Sequence, residues 1–453
     1  MKYFRNTLLT LAVFAVVLGG YFLYEKYFKN KLAENQEADT QEQILSVDKN
    51  RVSEIVVQYN GDELIFVKDN NDMVLSKPSN IRTDKQVITS LQSTIAGLFA
   101  QSRIGNIEKE RYSDFGLEKP NAKVSIKQAE EVKEIIIGDK TPSGSAYYAK
   151  VSNIDMIYTI DFVNALNLMV DVDKVRNKKA FGLNAEDVDY FYLQNNGQTL
   201  FELMFDREKD KRWVLKQPME ALCDDTKVKA LINSANNISI KEYIKGTAED
   251  MAQYGLDNPV NIIEIVSNAT SKIKLLIGKE KVKGEEVYAK YYDSKEVFVI
   301  NMDTFDFGNK RPEDLISKEI QNSKVQDVVG LKLSGKDGAR AFKITSGTKD
   351  DLSDYKIYLN NVEITQKDAF KNMFTELVNL EADLLALYEN PKGVSYLQVV
   401  FEHNKYPGVV TIDFVVRDEG SYYVLRNGKY LAQVINKDKL NKIEALLQVF
   451  QIK

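Results

Sequence analysis

A single histidine, His403, and a single cysteine, Cys223, bound the nucleophilic and metal chemistry open to this chain. One histidine excludes a paired-imidazole metal site and leaves any serine–histidine arrangement hanging on that residue. One cysteine excludes an intramolecular disulfide and a zinc site built on several thiolates. His403 lies in "FEHNKYPG", whose Asn, Pro and Gly predict a turn, so the ring reads as a solvent-exposed turn histidine with no activated nucleophile beside it. Cys223 opens "CDDT", where two carboxylates would raise the thiol pKa and suppress its reactivity, and where a helix cap is the better account of the aspartates.

Phosphate and metal loops fare no better. "GDKTPSGS" from Gly138 and "GKEKVKGE" from Gly278 lack the G-x-x-x-x-G-K-[ST] order of a phosphate loop and read as hairpin loops. "DVDKVRN" (Asp171 to Asn177) and "DREKDK" (Asp206 to Lys211) lack the glycine and closing glutamate of a calcium loop and read as solvated turns. No cofactor and no metal are expected. The enriched feature is tyrosine, 24 in all. Strand alternation places Tyr288, Lys290 and Tyr292 on one face, and Tyr148 and Lys150 recur in the earlier copy of that stretch. Such aromatic-plus-lysine rows could grip a glycan or peptide; cross-strand tyrosine pairing is the plainer reading.

The elements that would carry these residues are repeated. "FGLEKP" (Phe115, Gly116, Leu117, to Pro120) returns as "YGLDNP" (Tyr254, Gly255, Leu256, to Pro259), and Pro78/Pro218, Asp84/Asp224, Gly138/Gly278 and Ile160/Ile300 each stand 140 positions apart. A third copy begins at the same offset, Val188 to Val328, then contracts: Tyr288 falls opposite Tyr423, and the stop shrinks to "YENP" (Tyr388 to Pro391). Within a copy, alternating runs such as "SEIVVQY", "ELIFVKD" and "DMVLSKP" predict strands. A helical stripe follows at Val87, Ile88, Leu91, Ile95, Leu98 and Phe99, and is repeated by Val228, Leu231, Ile232, Ala235 and Ile238 and by Phe370, Met373, Phe374, Leu377 and Val378. Four further strand-like runs close the copy. The expected fold class is therefore α+β: three tandem sheet-rich repeat units, each with one amphipathic helix, after an amino-terminal transmembrane helix. The glycine motif reads as a helix stop, with Gly255 left-handed, Leu256 folding back and Pro259 barring resumption.

These motifs resemble the family called domain of unknown function 4340. Its marks are a W-x-x-x-x-P strand end, an aromatic–Gly–Leu–x–x–Pro stop and an I–G turn before a Tyr-containing strand, here "WVLKQP" (Trp213 to Pro218), "YGLDNP", "LLIG" (Leu275 to Gly278) and "VYAK" (Val287 to Lys290). Met73 stands where the second copy has its tryptophan. Family members are often encoded beside ABC-transporter components of the type associated with gliding motility, so the resemblance implies a transporter-linked extracytoplasmic role and an ABC-transporter component as partner.

The amino end supplies an address. Residues 6–24 are uncharged and mostly apolar, close to the ~20 residues a helix needs to cross a bilayer, with Phe4, Tyr21 and Tyr24 at its flanks. The expectation is a single-pass membrane anchor over 1–32, a polar tether over 33–50, and units over 51–172, 173–312 and 313–453, with the bulk of the chain outside the cytoplasm. Interspersed charge, 61 basic against 66 acidic residues, gives no footprint for nucleic acid. The reading that follows is a non-enzymatic interaction or scaffold subunit; the alternative is a binding module for an envelope glycan or peptide.

Overall fold

The computed structural model describes residues 42–450 apart from 209–210, 245–249, 306–308, 346, 348–353 and 406–407. The membrane anchor expected over residues 6–24 lies outside the described residues. Among those described, no helix is long and apolar enough to cross a membrane. The chain divides into two compact units at Asn177/Lys178.

Unit 1 holds one large antiparallel sheet in the order Asp72–Lys77, Asp62–Asp69, Val52–Tyr59, Ala122–Gln128, Glu131–Lys140, Ala146–Val151, Ile157–Asp161 and Ser102–Gly105. Alternation sends Ile55, Val57, Leu64, Phe66, Val124, Ile126, Ile135 and Ile137 to one face, where all are fully buried. That face is covered by the helix Lys85–Ala96, which contributes Ile88, Leu91 and Ile95 and is capped by Asp84, whose Oδ1 accepts from the Gln86 N–H at 2.8 Å. The tether expected over 33–50 ends early: Gln43–Ser46 pairs with Gly97–Phe99, and Ile44, Leu45 and Val47 enter the core.

Unit 2 holds two large sheets. The first runs Ala221–Leu222, Arg212–Gln217, Gln198–Asp206, Val188–Asn195, Asn261–Ser267, Ser271–Val282, Glu286–Tyr291, Phe298–Asn301 and Ile240–Tyr243. The second runs Val362–Glu363, Ile357–Leu359, Gly338–Ile344, Val328–Gly335, Ser395–His403, Val409–Asp418, Ser421–Arg426, Lys429–Asn436 and Leu384–Leu385. All three large sheets follow one plan: a meander, a covering helix, a short strand sent to the far edge, then a four-strand meander that returns beside the first strand. Asn–Gly pairs tighten the hairpins, with φ 45° and 77° at Asn196–Gly197 and 49° and 76° at Asn427–Gly428, the left-handed values such two-residue turns require.

The expected α+β class is corrected by this topology. Among the described residues strand outweighs helix, 47% to 20%, in four antiparallel sheets, and the count of one helix per unit fails. Unit 1 adds the helices Phe162–Leu168 and Val172–Val175, and the last sheet adds Lys437–Leu447 to its covering helix Lys367–Val378. The first two additions are too short to show a helical period, and the third follows directly on an apolar strand that hides its start. Val172–Val175 also replaces the solvated turn expected of "DVDKVRN": Asp171 caps it, accepting from the Lys174 N–H at 2.8 Å.

The contracted stop of the third copy is built differently. Tyr388 takes the left-handed conformation (φ 65°), and Glu389 receives a two-pronged bond from Arg417 at 2.9 and 3.0 Å and one from the Tyr423 hydroxyl at 2.6 Å. The Arg417 hydrogen bonds, then that of Tyr423, lower the Glu389 pKa. A carboxyl whose folded pKa lies below its unfolded one adds stability above the unfolded value, about 4.3, and loses it as pH falls through the folded value. Glu389→Gln is therefore expected to cost about 1 kcal/mol at neutral pH, discounted for the water the pair still meets, and the gap in urea titrations is expected to close only as pH falls through the folded value.

Candidate functional site

The glycine stops fold as the sequence spacing requires. Gly116 and Gly255 are left-handed, with φ 68° and 66°. The Gly255 N–H donates to the Ala252 carbonyl at 3.0 Å and the Leu256 N–H to the Met251 carbonyl at 3.0 Å; Gly116 and Leu117 repeat this onto Ser113 and Tyr112 at 3.2 and 2.9 Å. This is the Schellman arrangement, closing a 3-10 turn in each case. Leu117 and Leu256 are buried, while Pro120 and Pro259 lie just before the strands that follow.

The I–G glycines belong to the same device. Gly138 and Gly278 sit inside strands, not in the hairpin loops expected of them; the turns fall at Gly144 and Gly284 instead. A β-carbon at Gly138 would stand 2.1 Å from the Phe115 carbonyl oxygen, and one at Gly278 the same 2.1 Å from that of Tyr254. Each stop is thus laid backbone to backbone on the strand that carries the second glycine.

This arrangement also accounts for the tyrosines. Tyr148 packs edge-on against Phe115 with ring centroids 5.0 Å apart, and Tyr288 against Tyr254 at 4.9 Å. Lys150 donates to the Ile154 carbonyl at 2.5 Å and lies 3.6 Å from Asp155. Lys290 reaches the Tyr292 carbonyl at 3.4 Å, and burial lowers its pKa. Tyr292 alone is well exposed, at 66%, under the Lys274 ammonium at 5.1 Å. Four of the five candidate ligand residues are therefore occupied in holding the fold.

Chemistry-bearing groups converge elsewhere in unit 2, on a cleft of about 850 Å³. Its wall includes the strand start Lys211–Arg212, Cys223 and the start of the helix Asp225–Asn236, the connecting segment 317–324, Glu381 and His403. Asp224 caps that helix, accepting from the Thr226 and Lys227 N–H groups at 3.0 and 3.3 Å. Asp225 accepts from the Trp213 N–H at 3.0 Å. Both aspartates of "CDDT" are thus spent on backbone.

His403 is not the exposed turn residue the sequence suggested. It ends the strand Ser395–His403, is half-buried, and stacks near Phe401. Its Nδ1 lies 2.9 Å from the Gly408 carbonyl and its Nε2 2.5 Å from the Ser323 hydroxyl, on which the Gln321 amide also donates. A carbonyl only accepts, so Nδ1 carries a proton, and in the neutral ring Nε2 accepts from Ser323. The order is that of a nucleophile and its base, but a backbone carbonyl holds the far nitrogen where a triad places a carboxylate. The pair ties the connecting segment to the last sheet. Sequence reading missed Ser323 because it lies 80 positions from His403 in a stretch without periodicity.

Cys223 is fully buried, and burial above all, with Asp225 and Asp224 as minor causes, pushes its pKa up to about 12. A thiol-selective reagent at pH 8 is therefore expected to leave native chain unlabelled and to label it only on unfolding. Native labelling at the rate of free cysteine would show the burial to be wrong.

Comparison with known proteins identifies a family. A family model described as domain of unknown function (DUF4340) matches residues 73–211 and again 213–398. The two matches start at Met73 and Trp213, the second residues of the equivalent strands Asp72–Lys77 and Arg212–Gln217. No curated protein and no solved structure matches the chain. With two successive matches covering most of its length, and the stop and its glycine partner built alike in both copies, this chain belongs to the DUF4340 family.

Proposed function

We propose that this protein is a membrane-anchored, extracytoplasmic interaction subunit without enzymatic activity, an accessory of a membrane assembly such as an ABC transporter. The observation that supports the reading is where the repeated motifs go. Aromatic, glycine, leucine and tyrosine positions that recur between copies are consumed in fixing one sheet plan, the behaviour of a display scaffold. The apolar stretch over residues 6–24 supports the address, and tethering raises the local concentration of a binding surface near a membrane partner.

The test is crosslinking and recovery of the full-length chain from membranes. A stoichiometric integral-membrane partner is the expected result. A His403→Ala, Cys223→Ala double variant should complement a deletion strain as the parent does, while removal of residues 1–32 should not be tolerated. A stable but inactive double variant, or a fully active unanchored chain, would sink the scaffold reading.

A further inference from the structure

The cleft in unit 2 gathers charges of both signs that leave one another unpaired. Arg212 and Lys227 line it, and neither forms an ion pair among the described residues. Arg212 gives one guanidinium N–H to the Cys223 carbonyl at 3.3 Å, but its Nε is buried with no hydrogen-bond partner. An unmet buried donor is a costly state, and the guanidinium charge is left with no carboxylate beside it.

The opposite charge is concentrated by register. Glu319 and Glu381 are direct partners in an antiparallel bridge, so their side chains leave the ladder on the same side, where like charges repel. Both line the cleft, and neither is paired with a cation among the described residues. The fold does not demand this: the corresponding bridge at the start of the same unit joins Lys179 and Ser239. Elsewhere in unit 2 neighbouring charges do close, as in Lys229–Glu186 at 2.7 Å and Lys429–Glu220 at 3.1 Å.

We infer that this cleft binds a small zwitterion carrying a free carboxylate and a free ammonium group, a free amino acid or short peptide. The carboxylate is received by Arg212 and Lys227, the ammonium by Glu319 and Glu381. A simple oxyanion would leave the glutamate pair unrelieved, and a simple cation would leave Arg212 and Lys227 without a counter-charge; one molecule bearing both charges answers both pairs. At about 850 Å³ the cleft has room for several residues. This site stands independently of the scaffold role.

The experiment is calorimetric titration of the purified full-length chain with glycine and tri-alanine, set beside inorganic phosphate and a tri-alanine blocked at both ends. At least one zwitterion should bind, with phosphate and the blocked peptide at least tenfold weaker. Arg212→Gln and the double change Glu319→Gln, Glu381→Gln should each weaken that binding at least tenfold. Both glutamates are exposed, so the double variant keeps its fold even if Arg212→Gln does not. Phosphate binding as tight as the zwitterion, indifference to the glutamate changes, or no binding of either zwitterion overturns the inference.

Discussion

Replacing Gly278 by alanine is expected to destabilise unit 2 by ~3 kcal/mol or more, and Gly138→Ala to do the same to unit 1. The new β-carbon would lie 2.1 Å from a carbonyl oxygen in each case, and that oxygen belongs to the backbone of the stop, which cannot rotate away as a side chain could. Relief requires lifting the whole Schellman turn off its strand, which exposes Leu256 or Leu117. Gly197→Ala separates this contact penalty from backbone strain: Gly197 is left-handed at φ 77° with nothing within 4 Å, so only the left-handed penalty of about 1–2 kcal/mol applies there. Gly255→Val should fall between, with positive φ and the Lys279 amide nitrogen 3.0 Å from its β-carbon. Hydrogen exchange read separately over the two units gives the comparison. A loss below 1 kcal/mol for Gly278→Ala would mean that the stop does not rest on that strand.

The stop itself was legible in the sequence because its constraint is local: one residue with positive φ, one apolar residue after it and a proline three further on. Gly138 and Gly278 were misread because their constraint is not local. Nothing in "LLIG" says that another backbone lies against the glycine, and the same letters open many hairpins. The strand runs were visible through alternation, but the balance of helix and sheet was not. "FVNALNL" and "DVDKV" are shorter than the window in which a helical period shows, and their helices depend on the caps at Asp161 and Asp171. The cleft was least legible. It draws on residues from 211 to 426, and what distinguishes Arg212, Glu319 and Glu381 is the partner each does not have, a property that exists only after folding.

Trp213→Ala should be the most damaging single truncation in unit 2, at ~3–5 kcal/mol, the usual range for removing a buried aromatic side chain. Trp213 is 2% exposed and packs edge-on against Phe205 with centroids 5.6 Å apart. Its backbone also joins two elements: its N–H donates to Asp225 at 3.0 Å, and its carbonyl accepts from the Cys223 N–H at 2.9 Å. Trp213→Met is the informative comparison, because Met73 fills the equivalent place in unit 1 at 7% exposure. Methionine adapts to an irregular gap, so that change should cost about 1–3 kcal/mol. Urea midpoints of the two variants measure the difference; both keep the backbone bonds, so equal losses would mean that methionine does not fill the place of the ring. The same pair bears on the cleft, since Arg212 precedes Trp213 and Cys223 is bonded to it. If the ring is what seats this strand against the start of the helix Asp225–Asn236, Trp213→Ala should lose zwitterion binding at denaturant concentrations where the sheet still stands, and Trp213→Met should keep it.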